Sequence, residues 1–119
     1  MMEKPSEIKY SFVLVSFPFE DFKTSKVRPA LCLTEPVGDY EHIVLAFVSS
    51  KLPEISLDSD QIVHLDSPLG KSSGLIVDSV IRFHKIVSIP KSLIKRKLGV
   101  LDTQGIKFVK AKIKSLFEV

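Results

Sequence analysis

The sequence predicts a mostly β domain, a small barrel or sandwich, closed by a C-terminal α-helix. Three observations carry this expectation. Short runs rich in Val, Ile, Leu and Phe recur as far as Pro90. Pro, Gly, Asp and Ser separate them, which is how strands and their turns are written. After Pro90 the apolar spacing changes to a helical period.

The β-type runs are, in order, YSFVLVSF, RPALCLTE, EHIVLAFVS, QIVHLD, GLIVDS and SVIRFHKIVSI. Several are too short to be helices of a packed domain, and regular short strands with turn signals suit a small barrel. The following PKSLIKRKLG reads as a short helix or turn ended at Gly99. From Asp102, an N-cap candidate, Ile106, Val109, Ile113, Leu116 and Phe117 share one stripe at 3.6 residues per turn. Lys107, Lys110 and Lys114 form a neighbouring polar stripe, and Gly105 weakens the first turn. Phe108 points away from the apolar stripe, which makes it a candidate for a subunit contact.

No repeat, low-complexity tract or linker divides the 119 residues, so residues 1–119 are expected to form one domain. Cys32 is the only cysteine, which rules out an internal disulfide. Without a charged-then-apolar leader, the chain is expected in a reducing compartment, the cytoplasm. The longest apolar runs, such as Phe12–Val15 and Ile43–Val48, are too short to cross a bilayer.

Charge is unevenly distributed. Residues 1–84 carry 8 basic and 12 acidic side chains, and residues 85–119 carry 9 and 2. Such a basic end suits phosphate or an acidic partner, or serves as a solvated lysine face. The chain has no GxxxxGK[ST] loop, no GxGxxG, no HExxH and no Cys/His cluster at zinc spacing. That pattern disfavours nucleotide-dependent enzymes and zinc hydrolases, and neither a cofactor nor a metal is expected. His42, His64 and His84 stand singly among strands, where surface or cross-strand roles are expected.

One stretch stands apart. In FPFEDFKTSKVRPALCL, residues 17–33, a polar loop precedes an arginine set directly before a proline and an apolar run. Pro29 biases the Arg28 backbone towards an extended shape and suits the start of a strand. Read from the residues alone, Arg28 is either a ligand-facing cation or a surface partner of Glu20 or Asp21.

SFPFEDFKTSKVRPALCL, then IVLAFVSSK, then SGLIVDSVIRFHKIVSIPKSLIKRKLGVLD resembles the MazF/PemK (Kid-like) toxins of type II toxin–antitoxin systems. The resemblance runs in order from about Phe12 to Leu116. It implies an SH3-like barrel of the CcdB/PemK kind with a C-terminal helix, and a homodimer. It also implies metal-independent, sequence-specific cleavage of single-stranded RNA, an acidic antitoxin partner, and DNA binding by the toxin–antitoxin complex. The family's catalytic pair, an arginine before proline and a threonine ending the third strand, falls here on Arg28 and Ser49. Serine thus stands where threonine is usual. Other departures bear on loop shape and RNA preference: Phe22 where many members have a loop glycine, and Asp78-Ser79 where many have Pro-Ser.

The residues suit that chemistry. Cleavage through the substrate's 2′-hydroxyl needs that proton removed, the phosphate's extra charge stabilised and the departing 5′-oxygen protonated. Arginine fits the second task because its planar fork holds two phosphate oxygens at once. The Ser49 hydroxyl is a phosphate donor or, with Ser50, a cap of the strand–loop turn. Phe17 and Phe22 are candidates to stack on splayed bases. Lys23, Lys26, Lys51 and Lys71, read as loop residues, are candidates to follow the backbone. The alternative is a non-catalytic barrel that binds a protein, as a degenerate toxin or a CcdB-like gyrase poison.

Overall fold

The computed structural model of the chain describes residues 8–17 and 26–119. Its architecture is a mostly β fold with a C-terminal helix. In chain order come β1 (Ser11–Phe17), β2 (Lys26–Cys32), β3 (His42–Ser49), β4 (Asp60–Val63), α1 (Pro68–Ser73), β5 (Ser79–Pro90), β6 (Ile94–Val100) and α2 (Thr103–Phe117). All the strand pairings are antiparallel. The order across the sheet is β4-β5-β3-β2-β1-β6, so the ladder stays open between β4 and β6.

The short helix α1 follows β4 and packs against β6 at the other edge. Gly99 of β6 lies so close to Ser72 and Ser73 that a Cβ there would collide with their backbone. Sequence reading missed α1 and put a strand at GLIVDS, but the helix has ordinary signals. The Ser67 hydroxyl accepts from the Gly70 N–H, Pro68 opens the helix, and Gly74 ends it at φ 74°. Residues 74–78 are therefore a loop, and β5 begins only at Ser79.

The PKSLIKRKLG segment is a second correction. Only Lys91–Leu93 form a single 3-10 turn, and Ile94–Val100 pair with β1 as a strand. Its Lys, Leu and Arg residues favour a helix locally, but the open edge of β1 offers a full row of backbone partners.

Strand alternation sorts the core onto two faces. Phe12, Leu31, Ala46, Val48, Ile81 and Phe83 lie on one, joined by Leu101 and by Val109 of α2. Val13, Val15, Ala30, Cys32, Ile43, Leu45 and Ile89 lie on the other. β5 changes phase partway. Phe47 pairs with Arg82 and the adjacent Ala46 with Ile86, leaving residues 83–85 as a bulge. Cys32 is buried and its thiol donates to the Thr34 carbonyl; burial pushes its pKa up.

The terminal helix starts where expected, with the Asp102 carboxylate accepting from the Gly105 N–H. Ile106, Val109 and Ile113 pack on the core. Leu116 and Phe117 instead remain 36% and 57% exposed, and Phe108 is 47% exposed. Among the described residues, no helix is long and apolar enough to cross a membrane.

Candidate functional site

Arg28 and Ser49 come together at the ends of neighbouring strands. The outermost rung of the β2–β3 ladder is Ala30 opposite Phe47. Continuing that register by two residues sets Arg28 opposite Ser49. Arg28 is exposed, whereas Ala30 two residues on is fully buried, so β2 leaves the core within one step of alternation. Both residues line two clefts.

The first cleft, of about 380 Å³, is lined by Arg28, Phe47, Val48, Ser49, Lys51, Arg82 and Lys85. Among the described lining residues four are cations and none is an acid, which suits an anion. The β5 bulge puts Lys85 beside this cleft together with Arg82. The Arg82 Nε donates to Asp60 Oδ1 at 3.0 Å, and the Asp60 side chain is fully buried. The other oxygen of Asp60 accepts from the Leu57 N–H at 3.0 Å. Asp60 thus fixes the direction of Arg82. Asp60→Ala is expected to lower stability by about 3 kcal/mol, because it strands a largely buried guanidinium; the shift in urea midpoint measures it.

The second cleft, of about 360 Å³, has Arg28, Ser49, Ser50 and Arg96 among its polar lining and Leu14, Val27, Pro29, Leu75, Ile76, Val77 and Leu98 among its apolar walls. Its outer wall is the loop before β5, which is pinned from below. Asp78 accepts from the Leu65 N–H at 2.8 Å and faces His64 Nδ1 at 3.4 Å. The Leu65 N–H, and after it His64, hold the Asp78 carboxyl below the usual carboxylate range.

Ser49 takes the capping role at the end of β3. Its Oγ accepts from the Lys51 N–H at 3.1 Å, which caps the turn. The hydroxyl proton stays available to donate. The backbone contact supplies some of the orientation that threonine's β-methyl would give.

Among the other sequence-predicted residues, Ser50 lines the apolar-walled cleft and Lys51 the cationic one. Lys26 is the first residue of β2 and Lys71 lies on α1, so neither is a loop residue, and neither lines the two clefts. Phe17 ends β1 opposite Lys26. Its side chain, Phe22, Lys23, Glu20 and Asp21 lie outside the described residues. The histidines take cross-strand and surface contacts: His84 with the Ser59 hydroxyl at 2.7 Å, and the His42 ring edge-on to Tyr40. Arg82, Lys85 and Arg96 escaped sequence reading. A basic residue inside the apolar run SVIRFHKIV was the available signal for Arg82.

No group of three or more His, Cys, Asp or Glu side chains among the described residues is placed to hold a metal ion. A third, largely apolar groove of about 360 Å³ lies between β4, α1 and α2, with Ile62, Leu69, Phe108 and Val109 in its lining. None of the sequence-predicted site residues is in it.

A single antiparallel sheet capped by a terminal helix, with a cation-lined cleft at its strand ends, defines a class of small β domains. The chain belongs to the family of PemK-like, MazF-like toxins of type II toxin–antitoxin systems, whose sequence profile matches residues 9–117. Among solved structures it is similar to the Mycobacterium tuberculosis toxin MazF-mt6, with a TM-score of 0.68 at 19% identity over 92% of this chain and 97% of that one. It is also similar to an endoribonuclease in complex with its cognate antitoxin from mycobacterial species, with a TM-score of 0.67 at 8% identity over 96% and 97%. No curated protein sequence matches it.

Proposed function

We propose that this chain is a toxin endoribonuclease that cuts single-stranded RNA without a metal, through attack of the substrate's own 2′-hydroxyl on the adjacent phosphorus. The observation that carries this reading is the meeting of Arg28 and Ser49 beside a cleft that Lys51, Arg82 and Lys85 also line. In the proposed reaction Arg28 clamps two non-bridging oxygens, Ser49 donates to one of them, and the remaining cations offset the charge that builds on the phosphate. The 2′-hydroxyl gives its proton to water as its oxygen bonds to phosphorus, the P–O bond to the 5′-oxygen breaks, and that oxygen takes a proton from water, giving a 2′,3′-cyclic phosphate and a 5′-hydroxyl.

Family membership and the antitoxin-bound relative support an antitoxin partner, which the basic C-terminal third suits if it is acidic. Exposed Phe108 and Phe117 on α2 support a homodimer.

The test is a mixed-sequence RNA incubated with purified protein in chelator. Fragments ending in a cyclic phosphate are expected. No fragments under any condition would sink the ribonuclease reading, and fragments seen only after a divalent ion is added would sink the metal-independent one.

A further inference from the structure

We infer that the cleft between β6 and the Gly74–Val77 loop is a nucleobase subsite beside the scissile phosphate, and that Arg96 reads a guanine there. The inference takes its substrate from the ribonuclease reading and adds a specificity residue to it. Four observations carry it. Leu14 of β1 pairs with Pro29 on one side and Arg96 on the other, so all three side chains emerge on one face of the sheet. Arg96 is exposed and lines the same cleft as Arg28 and Ser49, so a group bound beside it is close to the proposed phosphate position.

The walls are the third observation. Val27, Ile76 and Val77 are 49%, 88% and 47% exposed, three large aliphatic side chains around one concavity. Exposed apolar side chains gathered at a polar site mark a surface that a flat apolar ligand covers. Fourth, the loop that carries two of them is held by the Gly74 turn and by Asp78 on the Leu65 N–H, so the wall is formed before a ligand arrives.

The ligand chemistry follows from these groups. Single-stranded RNA offers bases that swing out of the stack and expose their edges. Among the described residues no acid lines this cleft, so none of them offers a carboxylate to the amino groups of adenine or cytosine. An arginine fork aligned on two acceptors fits the O6 and N7 of guanine.

Short fluorescent RNAs made uncleavable by 2′-O-methyl groups test this by anisotropy. One carries a single guanine in a pyrimidine background, one carries 7-deazaguanine at that position, and one is all pyrimidine. The parent protein is expected to bind the guanine RNA roughly tenfold to a hundredfold more tightly than the other two. Arg96→Ala is expected to bring all three to a common affinity. Arg96→Lys, which keeps the charge and the edge strand, should lose the guanine preference as well, with thermal melts confirming that both variants fold.

If Arg96→Ala weakens all three RNAs equally, Arg96 is a backbone contact and the subsite is overturned. Equal binding of guanine and 7-deazaguanine by the parent overturns it too. Because the assay needs no cutting, guanine-dependent binding by a protein that cleaves nothing supports the subsite and overturns only the ribonuclease reading.

Discussion

Arg28→Ala is expected to slow RNA cleavage by roughly a hundred- to thousandfold, the usual cost of removing one preorganised charge-stabilising group. The residue is exposed at the start of β2 and belongs to neither core face, and a thermal melt of the variant separates a lost site from a lost fold. Arg28→Lys should restore little, since an ammonium is a point charge that cannot hold two oxygens in one plane. Ser49→Ala in the same assay should cause a smaller loss. Ser49→Thr should leave the rate near the parent's, because the Lys51 N–H already orients Oγ. Initial rates on a short fluorogenic RNA decide the matter; an undiminished rate in Arg28→Ala would remove this residue from the site.

A single 2′-deoxy substitution on the 5′ side of the scissile bond is expected to abolish cleavage there. The 2′-oxygen is an intramolecular nucleophile already next to phosphorus, and replacing such a group by outside water forfeits on the order of 10⁵-fold or more. The substituted RNA should still bind, because the cationic cleft meets phosphates and does not depend on that hydroxyl. Gel analysis of a substrate with one deoxy position measures both properties at once. Persistent cutting at that position would mean that a different nucleophile attacks.

Much of this arrangement was legible before any coordinates. Arg28-Pro29 and the serine after IVLAFV are local signals, and an antiparallel pairing of their strands is enough to make them meet. The terminal helix announced itself through Asp102 and its apolar period. Other parts depend on partners distant in sequence. Ile94–Val100 has the composition of a helix and becomes a strand because β1 offers it an edge, which is tertiary context overriding propensity. Arg96 lies within this segment, which by composition reads as a short helix or turn. Lys85 reaches the cationic cleft through a bulge in β5, and nothing in SVIRFHKIV marks where strand alternation breaks. The helix at Pro68–Ser73 is a different case: Ser67, Pro68 and Gly74 advertised it, and the apolar run that follows drew attention away.

The bulge in β5 has a consequence for how this sequence is able to drift through descent. Up to its first residue, Ile81 and Phe83 serve one core face; after it, Val87 and Ile89 serve the other. The odd number of extra residues keeps both halves in phase with β3. Losing or gaining one codon between positions 83 and 85 would restore regular alternation and turn one half of the strand inside out. Lineages that keep the fold can therefore exchange side chains along this segment one at a time, while its length stays fixed.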